Sequence, residues 1–175
     1  MAVSFEGFPR VLERSALRPG RWFIAAEGLR PILCFATDVM EGEHQLALTL
    51  GASRPELLDV EAAPMAALAG PFATVEDELV FAPGLDAQKP VLAAPARRTF
   101  RTGALLRLRN GDLGMAFAAP VSGERAIVPL VSGLRIESYD LVFERWSLSL
   151  RRGGAQTLIG VFRPTHAALA EERRA

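Results

Sequence analysis

Leu105-Leu-Arg-Leu-Arg-Asn110-Gly111-Asp-Leu113-Gly-Met115-Ala-Phe117-Ala118 is the stretch that decides the fold. Leu106 and Leu108 alternate with Arg107 and Arg109, and Leu113, Met115 and Phe117 alternate with Gly114, Ala116 and Ala118. A period of two puts successive side chains on opposite faces of a strand. Between the runs, Asn110-Gly111 supplies two residues that tolerate positive φ, as a tight hairpin turn requires. The stretch reads as a β-hairpin with large side chains in one layer and small ones on the other, where close packing is allowed.

The same outline occurs upstream. Arg101-Thr-Gly103, Gly111, Phe117-Ala118, Gly123-Glu124 and Gly133 echo Arg18-Pro-Gly20, Gly28, Phe35-Ala36, Gly42-Glu43 and Gly51. The offset drifts between 83, 82 and 81, so the match needs small gaps. The matched positions are turns and strand centres, which describe a scaffold and no chemistry. Two similar small β units are one organisation that fits; a single larger barrel or sandwich is the other.

Further strands follow from the same logic. Arg21 to Ala26 and Ile32 to Thr37 flank the turn Glu27 to Pro31 and read as a hairpin. His44, Leu46, Leu48 and Leu50 share one face of a strand, opposite Gln45, Ala47 and Thr49, which makes His44 a core-facing histidine. Leu79 to Phe81 is a short strand, and Arg125 to Val131 is a strand that Pro129 confines to an edge or a bulge. Leu134 and Ile136 alternate with Arg135 and Glu137. Leu141 and Phe143 hold one parity and Trp146, Leu148 and Leu150 the other, so a β-bulge is expected near Glu144-Arg145. Arg151-Arg152-Gly153-Gly154 turns the chain into a strand from Ala155 to Phe162.

The expected fold is mainly β: an antiparallel barrel or sandwich of about nine short strands. Short helical segments are expected in the middle, at Glu56 to Ala63 and Met65 to Ala69, and at the C-terminus, at Thr165 to Arg174. The chain divides into an acidic β-rich half (1–81), a Pro/Ala-rich linker or crossing (82–96) and a basic β-rich half (97–175), unless 1–175 is one domain.

At 50% hydrophobic and 23% charged, the 175 residues are globular in composition. The opening MAVSFEGFPR lacks the basic-then-apolar order of an export signal. The uncharged run Ala62 to Val75 holds Pro64 and Pro71 and is too short to span a bilayer, so a cytoplasmic protein without a membrane partner is expected. Cys34 stands alone, which rules out an intrachain disulfide and a cysteine-rich zinc site. The net charge of zero conceals a polarity: residues 1–96 carry 7 basic and 13 acidic side chains, and residues 97–175 carry 13 basic and 7 acidic. Such a dipole favours head-to-tail association or gives the second half affinity for an anion.

Reactive groups are few. Asp38, Glu41, Glu43 and His44 form the densest polar cluster and are the weak metal-ligand candidates; their spacing lacks the alternating acids and distal Glu of a calcium loop, so no metal and no cofactor is assigned. Cys34 lies within the apolar run Ile32 to Phe35 and reads as a buried, inert thiol. His44 and His166 are the only histidines, Ser122-Gly123 and Ser132-Gly133 lack the G-x-S-x-G context, and no catalytic residue is assigned. The anion-binding candidates are Arg97, Arg98, Arg101, Arg107 and Arg109. Arg97 and Arg101 have the R-x-x-x-R spacing that opens the PilZ cyclic-dinucleotide-binding signature. Its second motif, an acid or Asn before S-x-x-G, is missing, because Pro120 and Leu130 stand two residues before Ser122 and Ser132, and no family is assigned.

Three functions fit. The favoured one is a noncatalytic module that binds a protein partner or itself. The second binds a nucleotide or nucleic acid through the arginine-rich half, with Phe100 and Trp146 as stacking candidates. The third is an enzyme whose site is assembled from residues distant in sequence.

Overall fold

The computed structural model describes residues 10–27, 30–54, 57–84 and 101–163. In chain order its strands are β1 (Val11–Leu12), β2 (Trp22–Glu27), β3 (Arg30–Glu41), β4 (His44–Arg54), β5 (Leu57–Pro64), β6 (Ala69–Thr74), β7 (Glu78–Pro83), β8 (Leu105–Arg107), β9 (Leu113–Ala118), β10 (Arg125–Pro129), β11 (Leu141–Phe143), β12 (Trp146–Arg152) and β13 (Ala155–Phe162). Nine of them form one sheet in the order β1-β6-β2-β3-β4-β5-β13-β12-β7, and four form a second in the order β10-β9-β8-β11. Pairing is antiparallel except where β13 meets β5 at Val161–Leu57 and Phe162–Leu58. The larger sheet curls until Trp22 of β2 touches Phe81 of β7, their rings 5.5 Å apart, without closing into a barrel.

Two parts of this topology run in parallel. Arg18-Pro-Gly20-Arg21 is a β-turn in which Arg21 N–H donates to Arg18 O, with Gly20 at φ 84°. Arg101-Thr-Gly103-Ala104 repeats it: Ala104 N–H donates to Arg101 O, and Gly103 has φ 89°. Positive φ at the third turn position is the type II arrangement, which glycine adopts without a steric penalty. The amide of Gly20 then donates to Ala36 O, and Ala36 N–H returns to Arg21 O. At the second turn Gly103 N–H donates to Ala116 O, and Ala116 N–H returns to Ala104 O. The strands beyond also correspond, since β6-β2-β3-β4-β5 is matched by β11-β8-β9-β10 with Ile136 bridged to Ile127 in the place of β5. These bonds equate Ala36 with Ala116, two residues from the register suggested by the Phe-Ala echo. Gly51 lies inside β4 while Gly133 forms a turn at φ 67°, so that pair does not correspond.

Three apolar clusters result. One lies inside the first curl of strands, with Phe23, Ile32, Cys34, Ala47, Met65 and Phe72; another lies inside the second, with Leu106, Leu108, Ala116 and Ile127. The largest lies between them and draws Phe35, Leu46, Leu48 and Val60 from one side, and Leu105, Met115, Phe117, Trp146 and Phe162 from the other. Alternation explains the division: Phe35 faces the central cluster while Cys34 and Ala36 face the first curl. Cys34 is fully buried there, as expected of an inert thiol. Gly114 fits beside its neighbours only without a side chain, because a Cβ would lie 3.1 Å from both Leu108 Cδ2 and Val128 O.

The sequence reading needs several corrections. Thirteen strands, not about nine, occur among the described residues, and some are long. Glu56 to Ala63 was expected to be helical, but Leu57–Pro64 is strand β5, because Leu58 and Val60 alternate into the central cluster and burial outweighs the helix propensity of Glu and Ala. Of Met65 to Ala69 only Met65–Ala67 is helical, as one 3-10 turn; the other such turn is Arg14–Ala16. Leu134 to Glu137 contributes a single bridge at Ile136 rather than a strand. The parity change at Glu144-Arg145 needs no bulge: β11 belongs to the small sheet and β12 to the large one, and the chain crosses between them there. Asn110-Gly111 is part of a three-residue turn, with Leu108 N–H donating to Asp112 O and only Gly111 at positive φ. Pro129 ends the edge strand β10, as its missing donor requires. The C-terminal segment Thr165 to Arg174 and most of the 82–96 crossing lie outside the described residues.

Candidate functional site

Between β2 and β7 of the large sheet and β9 and β10 of the small one the surface opens into an apolar groove of about 360 Å³. Trp22 begins β2 two residues after the Gly20 turn, and Leu79 and Phe81 alternate inward from β7. Val75 and Asp77 come from the connection between β6 and β7, Leu113 from the start of β9, and Leu130 and Val131 from the end of β10. Trp22 and Phe81, its two lining rings, belong to a file that continues into the core: Phe35 to Trp22 at 4.6 Å, Trp22 to Phe81 at 5.5 Å, Phe81 to Trp146 at 5.5 Å, and Trp146 stacked on Phe162 at 5.3 Å. Trp146 Nε1–H donates 2.8 Å to Gly103 O, which ties this file to the Gly103 turn. Val131, at the rim, is 72% exposed. Asp77, the one ionisable lining residue, is held at 2.6 Å by Arg152 Nε. A surface so lined can hold apolar side chains and offers no acid–base pair.

A polar seam joins the end of β3 to the connections on either side of β10, and it absorbs half of the candidate metal cluster. Asp38 N–H donates to Gly133 O, and Asp38 Oδ1 accepts from Arg135 N–H at 2.7 Å. Glu41 Oε1 accepts the backbone N–H groups of Val121 and Ser122 at 2.9 and 2.7 Å. The Ser122 N–H is the main reason that the Glu41 carboxyl lies below the ordinary glutamate value; desolvation opposes it, and the Val121 N–H and the Ser122 hydroxyl add to the lowering. A register shift in β3 accompanies this placement, with Thr37 Oγ1 donating to Leu46 O and Val39 N–H donating to Thr37 Oγ1. Glu43 and His44 are exposed beside the Gly42 turn. His44 had been expected in the core, but as the first residue of β4 it precedes the buried part of the strand. Among the described residues no three His, Cys, Asp or Glu side chains are placed to hold a metal ion.

The arginine candidates do not converge. Arg97, Arg98 and the stacking candidate Phe100 lie outside the described residues. Arg101 is half-buried in the turn before β8, whereas Arg107 and Arg109 are exposed beyond its other end. Trp146 is fully buried and presents no face for a base to stack on. Sequence reasoning missed Trp22, Leu79, Phe81, Leu113 and Val131 as a group. Each is an ordinary strand or turn residue locally, and only the curl of the large sheet brings them together. No described helix is long and apolar enough to cross a membrane. Comparisons with known protein families, with curated proteins and with solved structures found no match.

Proposed function

We propose that this protein is a noncatalytic interaction module built from two copies of one β unit, and that it binds a protein partner through the groove between them. The observation that carries the reading is the groove: the rings of Trp22 and Phe81 and the side chains of Leu79, Leu113 and Val131 meet at a solvent-open opening in the central cluster. Exposed contiguous apolar surface of this kind costs a lone protein solubility and marks docking sites. The repeated turn bonds and strand order support the duplication, and the cluster shared by both copies supports one folded body for the described residues.

The test is a selection of peptides from a random displayed library against the intact protein, followed by affinity measurement with two variants. Val131→Glu places a carboxylate at the groove rim, and Val11→Glu places one at an equally exposed position on β1. Selected peptides are expected to be apolar and to lose at least about tenfold in affinity with Val131→Glu, the cost of burying an unpaired charge, but not with Val11→Glu. A selection that returns nothing, or peptides indifferent to Val131→Glu, removes the groove as the interaction surface.

A further inference from the structure

Two of the residues that line the groove, Trp22 and Val131, belong to segments bonded to the same edge of β3. Gly20, in the turn that leads into Trp22, donates its N–H to Ala36 O, and Ala36 N–H returns to Arg21 O. Two residues further along β3, Asp38 N–H donates to Gly133 O at 2.9 Å. Residues i and i+2 of a strand point their N–H and C=O groups the same way, so the turn that carries Val131 lies beside β3 in line with the turn that leads into Trp22. The two turns touch: a Cβ on Gly20 would stand 2.8 Å from Ser132 O. Gly133 N–H closes the second turn on Pro129 O, and Leu130 N–H donates to Leu113 O, which joins two lining residues. These are backbone bonds. One bond depends on a side chain: Asp38 Oδ1 accepts Arg135 N–H at 2.7 Å, across 97 residues of sequence. The rim is thus fastened at both ends, at Pro129 by β10 and at Gly133 and Arg135 by Asp38, with Leu130 and Val131 between.

We propose that Asp38 is a positioning residue for the groove: its carboxylate holds the Leu130–Val131 rim in the arrangement that binds, without itself lining the site. This rests on the groove being the interaction surface and assigns a role there to a residue that the sequence offers as a metal ligand. Val131 is 72% exposed, so its own packing does little to fix it, and its place depends on the fastenings to either side. A rim that leaves its seat part of the time lowers the apparent affinity in proportion to the fraction of molecules still competent to bind. Glu41 supplies the internal contrast. It makes the same kind of bond, and two of them, but to Val121 and Ser122 in the loop between β9 and β10, which contributes no described residue to the groove lining. Of the two seam carboxylates, one holds the rim and the other holds a loop away from it.

The probes are the apolar peptides selected from the displayed library, titrated calorimetrically into the parent and into Asp38→Ala, Asp38→Asn and Glu41→Ala, with urea unfolding of each protein alongside. Asp38→Ala is expected to weaken binding about three- to tenfold. Asp38→Asn keeps a carbonyl acceptor for Arg135 N–H and is expected to bind within about twofold of the parent. Glu41→Ala gives up two N–H contacts and is expected to lose at least as much stability as Asp38→Ala, yet to bind within about twofold of the parent. A carboxylate that served stability alone would make affinity follow stability. Parental affinity in Asp38→Ala, an equal loss of affinity in Glu41→Ala, or a loss in Asp38→Asn equal to that in Asp38→Ala each overturns the proposal. Peptides that respond to Val131→Glu but not to Asp38→Ala leave the groove standing and remove only the role of Asp38, whereas peptides that ignore Val131→Glu remove both.

Discussion

The turns at Gly20 and Gly103 close the same three backbone hydrogen bonds, yet Gly103 lies under the ring of Phe162 and Gly20 against the backbone of Val131 and Ser132. Turn geometry belongs to the local sequence, Arg-x-Gly at both turns, and is the same in both because any other arrangement would orphan the same amides. What surrounds the turn belongs to the rest of the chain. The first copy lends carboxylates to the seam, Asp38 and Glu41; the second answers with backbone donors at Arg135, Val121 and Ser122. Two similar turns therefore sit in two different surroundings.

The strongest challenge to this comparison is a pair of glycine substitutions. Gly133 and Gly123 have nearly equal φ, 67° and 69°, so backbone strain alone predicts equal effects for Gly133→Ala and Gly123→Ala. Their surroundings differ: a Cβ on Gly133 would stand 2.5 Å from Ala36 O and against Gly20 N, both backbone, while Gly123 has nothing within 4 Å. Urea unfolding is expected to show a loss of about 3–5 kcal/mol for Gly133→Ala and about 1 kcal/mol for Gly123→Ala. Equal losses would break the claim that the copies meet at Gly20 and Gly133. Trp146→Phe comes next, because it removes the donor to Gly103 O inside the core and leaves a void, at about 2–3 kcal/mol by the same measurement.

The smaller effects sharpen the seam. Asp38→Ala deprives Arg135 N–H of its acceptor at an exposed position and is expected to cost about 1 kcal/mol. Glu41 has a lowered folded-state pKa, so the stability it contributes is present above the ordinary glutamate pKa and is lost as pH falls through the lowered value. Glu41→Gln should therefore be the less stable of the two above the ordinary glutamate pKa and converge on the parent as pH falls through the lowered value, a difference read from unfolding curves across that range. A Glu41→Gln curve parallel to the parent at every pH would mean that the Val121 and Ser122 contacts contribute nothing.

Hairpins were legible in the sequence because their signals are local: Gly42, Gly111 and Gly153-Gly154 each sit between runs of period two, and the strands followed. The burial of Cys34 and the edge position of Pro129 were legible for the same reason. Longer-range features were not. Glu56, Glu61, Ala62 and Ala63 favour a helix, and only the ladder with β4 and the burial of Leu58 and Val60 in the central cluster make 57–64 a strand. The parity change at Glu144-Arg145 is the same in sequence whether a strand bulges or changes sheets. Asp38 and Glu41 resemble ligands until their acceptor role at backbone amides about 80 to 97 residues away is seen. The groove had no sequence signal at all, since its walls come from both copies.

The central claim is that the two copies form one body around a shared core, with the face between them left open for binding. Segment-resolved amide hydrogen exchange on the parent and on Gly133→Ala tests it most directly. The account predicts that protection falls together in Leu33–Phe35 of β3 and in Met115–Phe117 of β9, because both pack into the central cluster. Loss of protection confined to one copy, with the other unchanged, would contradict it.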